Sequence, residues 1–141
     1  MISVLNPPDD RKLIQEALAE SIKASKEGRP GGVMDKLSAN IKYNNQDVGG
    51  NDRDIARFIR DSKPDIVVES MEPDVKGDQA TIVSPVNLTM SMLGQSINRR
   101  LNEVTLVFRK EADRDFLIFP TTRWKLAEVR VPDASVAGLV Q

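Results

Sequence analysis

The chain has 141 residues, of which 20 are basic, 21 are acidic and 40% are hydrophobic, and its net charge is −1. This length and composition are typical of one globular domain, so we predict a single domain over residues 1–141. Cysteine and histidine are both absent, which excludes disulfides, thiolate metal sites and the usual general base at neutral pH. We expect no metal and no cofactor, and the lack of a basic excess argues against a nucleic-acid partner.

The sequence also bears on membranes and location. Because it has no run of 18 apolar residues, we expect no membrane-spanning helix. Residues 1–5 are too short for the apolar part of a signal peptide, and no basic residue precedes them. The default expectation is therefore a cytoplasmic protein, and a secreted or anchored protein is the alternative if the N-terminus was trimmed.

Apolar residues at helical spacing predict a long first helix. Asn6 is its predicted cap, and Gly28 with Pro30 just beyond it provides the stop. The stripe that this helix would bury consists of Leu13, Ile14, Ala17, Leu18, Ser21, Ile22 and Ser25. Such a stripe needs a partner surface, and the later strands are the candidates.

Two shorter helices are predicted before the strands. The second helix covers residues 33–39 and is followed by a brief extended piece at Ile41 and Tyr43. A polar, flexible loop is predicted at residues 44–50. The third helix is capped by Asn51 or Asp52, and it ends before Pro64 because the residue preceding a proline disfavours helix. Its apolar positions are Ile55, Phe58 and Ile59.

Residues 66–131 predict an antiparallel meander that the helices would cover. Its strands are predicted at residues 65–71, 79–92, 98–110 and 116–131. Its turns are predicted at residues 73–78 and 111–115, with an interruption near Pro120 and a frayed tail after Pro132. The drier face of the long strand should turn toward the helices, and it consists of Ala80, Ile82, Ser84, Val86, Leu88, Met90 and Met92.

The register of the long hairpin is constrained by its two apolar faces. Pro85 cannot donate a ladder hydrogen bond, so we expect a bulge or an edge position there. With the tip at residues 94–95, a two-residue loop would place the dry faces on opposite sides of the sheet. A three-residue loop would give the pairs Val86–Val104 and Ile82–Phe108. Because a one-residue slip inverts a whole face, we predict an odd-length loop or a compensating bulge.

Four stretches together form a recognisable order. They are NDRDIARFI at residues 51–59, KGDQATIV at 76–83, VTLVFRK at 104–110 and RWKL at 123–126. This order resembles the nuclear transport factor 2-like superfamily, whose α+β cone is also called cystatin-like. The resemblance implies N-terminal helices packed on the concave face of a curved antiparallel sheet. It also implies a pocket at the open end of the cone and, in many members, dimers formed through the outer face of the sheet.

The resemblance is compatible with two kinds of activity, because the superfamily contains both enzymes and non-catalytic domains. Some members are isomerases, dehydratases or polyketide cyclases, and many are binding or assembly domains. The catalytic members typically use an Asp or His base, whereas this chain has no His and no Asp that matches such a base by motif. We therefore expect a non-catalytic ligand-binding or assembly domain without catalytic residues. The alternative is a small-molecule isomerase or dehydratase that uses a pocket carboxylate.

Five residues are candidates for lining a pocket that holds a small apolar ligand. Trp124 and Phe58 would form apolar walls, and the alternative for both is core packing. Tyr43 would direct its hydroxyl at a ligand, or it lies at the boundary with the hydroxyl in water. Ser84 interrupts an apolar face, so its hydroxyl meets a ligand or bonds backbone at a bulge. Glu128 shares the strand parity of Trp124, and an inward carboxylate with a raised pKa would be the best general base; the alternative is a solvated or salt-bridged strand end.

The outward faces of two strands predict a partner. They carry the half-apolar, β-branched set Thr81, Val83, Thr105 and Val107. Side chains of this kind suit packing against a second sheet. We therefore predict a homodimer through the outer face of the sheet.

Overall fold

The computed structural model describes residues 9–48, 50–113 and 121–132. The helices are α1 (Asp10–Lys26), α2 (Pro30–Met34) and α3 (Asp52–Ser62). The strands are β1 (Leu37–Tyr43), β2 (Gln46–Asp47), β3 (Asp65–Val68), β4 (Asp74–Lys76), β5 (Gln79–Met92), β6 (Gln95–Asp113) and β7 (Thr121–Arg130). The predicted cap Asn6, the interruption near Pro120 and the tail after Pro132 lie outside the described residues.

The seven strands form one mixed sheet. Its order is β2-β1-β7-β6-β5-β3, and β4 pairs with the other end of β5. The meander from β3 to β7 is antiparallel as predicted, whereas β1, predicted only as a brief extended piece, pairs with β7 in parallel. Although β1 precedes the meander in the chain, it lies next to β7, the last strand of the meander. Helices before a curved sheet, in an α+β arrangement, are as predicted.

Helix α1 covers the sheet through its apolar stripe. Asp9 caps it, since its Oδ1 accepts a hydrogen bond from the Arg11 backbone N–H at 3.0 Å. Ile14 and Leu18 are buried in the core cluster, whereas Leu13, at the margin of the predicted stripe, is 38% exposed. The end of α1 is fixed by Ser25, whose hydroxyl donates to the Pro64 carbonyl at 2.7 Å.

Residues 33–50 differ from their prediction. The second helix ends at Met34, and Leu37 already belongs to β1, so a helix over residues 33–39 is wrong. The pairing of Leu37 with Leu126 of β7 is a tertiary contact that overrides the short helical pattern. The predicted flexible loop contains a tight turn, because Asn44 and Asn45 both have positive φ and join β1 to β2.

The turn between β1 and β2 is tied to the end of β7. The side chain of Asn44 accepts a hydrogen bond from the Val131 N–H at 2.8 Å and donates to the Val131 carbonyl at 3.0 Å. An amide side chain thus reproduces the two bonds of a strand pair. Asparagine also tolerates the left-handed backbone that this turn requires.

The β5–β6 hairpin confirms the compensating bulge. Its turn has two residues, Leu93 and Gly94, with Met92 opposite Gln95. Further along, Pro85 of β5 lies opposite two residues of β6, between the pairs Val86–Leu101 and Ser84–Val104. The predicted pairs Val86–Val104 and Ile82–Phe108 are wrong, because the turn begins one residue earlier than the predicted tip. The observed pairs are Val86–Leu101 and Ile82–Leu106.

The bounds of several strands also differ from those predicted from the sequence. β6 begins at Gln95 and runs to Asp113, so its strand hydrogen bonding covers the first residues of the predicted charged turn. β3 ends at Val68, and β4 lies within the predicted turn at residues 73–78. Cross-strand pairing with the long β5 and β6 extends strands into segments whose own composition favours turns.

The sheet has two unlike faces. The concave face packs on α1 and carries the buried residues Ala80, Ile82, Val86, Leu101, Val104, Leu106, Phe108 and Trp124. The convex face is the opposite one and carries Thr81, Val83 and Thr105, which alternate with concave residues along β5 and β6. The predicted inward face of β5 is confirmed from Ala80 to Val86, where its even-numbered residues are buried.

Candidate functional site

A cleft of about 200 Å³ lies between β1 and the helices α2 and α3. It is lined by Met34, Leu37, Ser38, Ala39, Ile41, Asp52 and Ile55. Five of these side chains are apolar, and Asp52 is the one ionisable group among the described residues that line it. The cleft is smaller than a typical drug-sized pocket of about 300–1,000 Å³, so it suits a small molecule.

The local geometry of β1 and α3 brings these side chains together. Leu37, Ser38, Ala39 and Ile41 all line the cleft because the pairing of β1 with β7 is irregular between Leu37 and Lys42. Asp52 and Ile55 are three residues apart on α3 and are therefore neighbours on the helix surface. The strand and the helix consequently form two walls of a single cleft.

Ser38, at the margin of the cleft, is already engaged. Its hydroxyl donates to Glu111 Oε2 at 2.7 Å and accepts from the Asn40 N–H at 3.2 Å. Within the described part of the chain, by contrast, no hydrogen bond or ion pair engages Asp52. Its carboxylate is exposed at the first residue of α3. Asp52 is therefore the group available to a bound molecule.

The structure places Trp124 away from this cleft. Its indole N–H donates to Asp10 Oδ1 at 3.1 Å, and the Lys110 ammonium lies 5.3 Å from the ring centroid. Lys110 Nζ is also 3.4 Å from Asp10 Oδ1. The indole is 5% exposed and belongs to the core cluster. Trp124 therefore ties the start of α1 to β6 and β7 through packing and a cation–π contact.

The other apolar and hydroxyl candidates also lie outside the residues that line the cleft. Phe58 lies on α3 and is 43% exposed. Tyr43 packs against the core cluster at the end of β1, and burial raises the pKa of its phenol. Ser84 is buried at the bulge, where its hydroxyl donates to the Pro85 carbonyl and accepts from the Ser70 N–H, both at 2.8 Å. Ser84 thus has the backbone role that was the alternative in its prediction.

Glu128 does not point inward with a raised pKa; it has the salt bridge that was the alternative in its prediction. Its register partners are Val107 and Lys42, which places it on the convex face, although only 6% of it is exposed. Arg130 donates two hydrogen bonds to it at 3.1 Å, and the Asn45 N–H donates a third at 3.2 Å. The hydrogen bonds and charge of Arg130 hold the pKa of the Glu128 carboxyl below its ordinary range despite burial.

A bulge explains this reversal. The ladder between β6 and β7 shifts between the pairs Val107–Glu128 and Phe108–Leu126, which leaves Ala127 as an extra residue. The shift changes the parity of β7, so Glu128 and Trp124 lie on opposite faces. Counting residues from Trp124 could not reveal this extra residue.

None of the described residues that line the cleft is among the five pocket candidates predicted from the sequence. Asp52 was considered as a helix cap, and Leu37 was assigned to a helix. The available signal was the spacing of Asp52 from Ile55. This signal does not specify a cleft, because the wall opposite α3 comes from a strand that pairs with β7, more than eighty residues later in the chain.

The described residues contain neither a metal-binding cluster nor a membrane-spanning helix. No group of three or more Asp, Glu, His or Cys side chains there is arranged to hold a metal ion. None of the helices in residues 9–48, 50–113 and 121–132 is long and apolar enough to cross a lipid bilayer.

Comparison with known proteins identifies the fold. No protein-family model matches the chain, and no curated protein matches its sequence. Among solved structures, it is similar to an NTF2-like protein with a cystatin-like fold from Novosphingobium aromaticivorans, with a TM-score of 0.60 and 18% identity over 99% of this chain and 92% of that one. The chain has the nuclear transport factor 2-like fold. The resemblance proposed from the sequence is therefore confirmed at the level of the fold.

Two further solved structures with this fold belong to different kinds of protein. The S. rosetta CaMKII hub is 18% identical, with a TM-score of 0.62 over 89% of this chain and 98% of that one. A ketosteroid isomerase-like protein from Erwinia carotovora atroseptica is 16% identical, with a TM-score of 0.60 over 88% and 95%. At these identities the likeness establishes the nuclear transport factor 2-like fold alone, which hosts both kinds of protein.

Proposed function

We propose that this chain is a non-catalytic assembly and ligand-binding domain that forms a homodimer through the convex face of its sheet. The observation that carries the proposal is Val83. It lies in β5 opposite Thr105, two residues before the bulge at Pro85, and 54% of it is exposed. An exposed valine beside a half-buried threonine on the outer face of a sheet suits packing against a second sheet.

The surroundings of Val83 support a protein partner. Its cross-strand neighbour Thr105 is half-buried, and Val67 on the same face is 51% exposed. Val107, the fourth member of the predicted set, is 3% exposed within the single chain. The contact surface would therefore centre on Val83 and Thr105 and exclude Val107.

Ion pairs surround this apolar centre. Arg100 pairs with Glu69 and also donates to Asn87 Oδ1 at 3.3 Å. On the side of β7, Arg130 pairs with Glu128. An apolar centre with a polar rim is the usual anatomy of a protein interface. In a two-fold dimer each side chain is used twice, so one patch suffices for both subunits.

Sedimentation velocity over a range of protein concentrations tests the dimer. The wild-type chain is expected to sediment as a dimer at high concentration. Val83→Lys is expected to weaken association by about 100-fold or more, because a two-fold interface loses the burial of two valines. The matched control is Leu93→Lys, which changes an exposed apolar residue at the hairpin tip and should leave the dimer intact.

Two results would contradict the dimer. One is a wild-type chain that stays monomeric at high concentration. The other is a Val83→Lys variant, folded by circular dichroism, that dimerises like the wild type, because the interface would then lie elsewhere. Equal weakening by Leu93→Lys would indicate an interface at the hairpin tip.

A second candidate is a small-molecule isomerase or dehydratase that uses a pocket carboxylate. The observation that favours it is Asp52, a carboxylate without a partner among the described residues, at an apolar cleft. Its solvent exposure argues against it, because a general base of this kind usually works in a water-excluded site. Proton exchange on a small cyclic ketone that the protein accelerates and Asp52→Asn abolishes would favour the enzyme.

A further inference from the structure

The cleft between β1 and α3 combines apolar walls with one negative charge. Leu37, Ile41 and Ile55 supply hydrocarbon surface, and Asp52 supplies a carboxylate at the rim. Apolar walls favour a hydrocarbon group, and a single charged group fixes its orientation and its sign. The two features together define a ligand with an apolar body and one polar end.

The charges around the cleft determine the sign of that end. Asp52 and Asp54 lie in the first turn of α3 with Arg53 between them, so these three side chains have a net charge of −1, which exceeds the partial charge of about +0.5 at the helix N-terminus. Behind the β1 wall, Ser38 is bonded to the carboxylate of Glu111. No basic side chain is among the described residues that line the cleft.

The two lysines that flank the lining residues of β1 in sequence, Lys36 and Lys42, interact with carboxylates other than Asp52; Lys42 interacts with Glu128. Lys36 precedes Leu37, and its Nζ lies 3.0 Å from Glu20 Oε1 and 3.7 Å from Asp35 Oδ2. The ammonium of Lys36 therefore neutralises these two carboxylates and not Asp52. Arg53, next to Asp52 on α3, does not line the cleft, so Asp52 is the one charged side chain among the described residues that do.

We infer that the cleft binds a small amphipathic organic cation, with its hydrocarbon body between β1 and α3 and its ammonium group at Asp52. The volume sets the size of this ligand. An apolar cavity of about 150 Å³ holds benzene, so a cleft of about 200 Å³ takes an alkyl or aryl amine of slightly larger size. The inference deepens the ligand-binding part of the proposed function and rests on it.

The test is a set of NMR titrations with three probes that share one hydrocarbon body. They are n-hexylammonium, 1-hexanol and hexanoate, which differ in charge at neutral pH. We expect n-hexylammonium to bind most tightly and hexanoate least tightly. Binding should shift the backbone amide signals of Leu37, Ala39, Ile41 and Ile55.

A pair of matched variants isolates the charge. Asp52→Asn should weaken n-hexylammonium about fivefold, the ratio that about 1 kcal/mol of ion pairing produces, and leave 1-hexanol unchanged. Asp54→Asn removes a carboxylate from the same helical turn, and it should weaken n-hexylammonium much less. Ala39→Phe fills the cleft at an exposed position of β1, and it should abolish the binding of all three probes.

Several outcomes would overturn the inference. They are tighter binding of 1-hexanol than of n-hexylammonium, equal effects of Asp52→Asn and Asp54→Asn, and amide shifts that survive Ala39→Phe. Absence of binding by every probe would also overturn it. The two experiments test the two proposals independently. A monomer in sedimentation would contradict the dimer without changing the titration result, and a cleft that binds no probe would contradict the ligand without changing the sedimentation result.

Discussion

The concave and convex faces of the sheet treat neighbouring residues in opposite ways. Ile82 and Val83 are adjacent in β5 and nearly alike in chemistry. Ile82 is 0% exposed in the core cluster beneath α1, whereas Val83 is 54% exposed on the convex face. The strand period of two explains which face each side chain joins. It leaves open why the convex face carries a valine.

On the convex face, a charged residue is buried while apolar residues are exposed. The convex face buries Glu128 beside Val107, yet it exposes Val83 and Val67. A carboxylate is tolerated there because Arg130 and the Asn45 N–H satisfy its oxygens. The comparison shows that burial within a single chain follows hydrogen bonding as well as hydrophobicity. The exposed valines are then the feature that the single chain does not account for.

The largest expected effect separates the two faces directly. Ile82→Ala should lower the free energy of unfolding by about 2–5 kcal/mol, because it leaves a cavity in a filled core. Val83→Ala should change it by less than about 0.5 kcal/mol in the monomer, since surface substitutions have little to lose. Urea unfolding, at a protein concentration low enough to keep the chain monomeric, measures both. Equal costs for the two variants would mean that Val83 is covered within one chain.

The core was the most predictable part of this molecule. The even-numbered residues of β5 alternate with polar ones, so strand periodicity alone assigned Ile82 and Val86 to the inside. The compensating bulge followed from the same alternation and from Pro85. The pairing of β1 with β7 did not follow, because a parallel contact between distant segments has no local sequence signal.

The candidate site was less predictable than the core. Trp124 and Ser84 were ambiguous in the sequence, and their alternatives of packing and backbone bonding are what the structure contains. Glu128 was misplaced by the extra residue Ala127, which changes the parity of β7. Asp52 carried no signal for a cleft, since its opposite wall depends on the position of β1.

A smaller effect concerns the buried carboxylate of the convex face. Glu128→Gln should lower the free energy of unfolding by about 1 kcal/mol at neutral pH, because Arg130 loses a charged partner. The pKa of Glu128 lies below its ordinary value of 4.5 in the folded chain, chiefly through the hydrogen bonds from Arg130. The unfolded chain therefore binds its proton first as the pH falls. The stability from Glu128 is complete above about pH 4.5 and is lost as the pH falls through the folded pKa.

The pH dependence of unfolding therefore tests Glu128. The difference between wild type and Glu128→Gln should be complete at about pH 6 and should shrink as the pH falls below the ordinary carboxyl pKa of 4.5. Glu69→Gln is the matched control, because Arg100 also lowers the pKa of Glu69 but this pair is exposed. The control should show a smaller difference with the same sign. A difference for Glu128→Gln that grows toward low pH would contradict the depressed pKa.

The smallest effect lies at the tip of the β5–β6 hairpin, where both faces end and neither covers the side chain. Leu93 has φ of 53° and Gly94 has φ of 79°, so the turn requires a left-handed backbone at both positions. Leu93 is also fully exposed, at 101%, so burial does not offset its strain. Leu93→Asn should raise the free energy of unfolding by about 0.5–1 kcal/mol, because asparagine before glycine suits this turn. Urea unfolding of the monomer measures it, and a loss of stability would show that Leu93 makes a contact that the two faces do not provide.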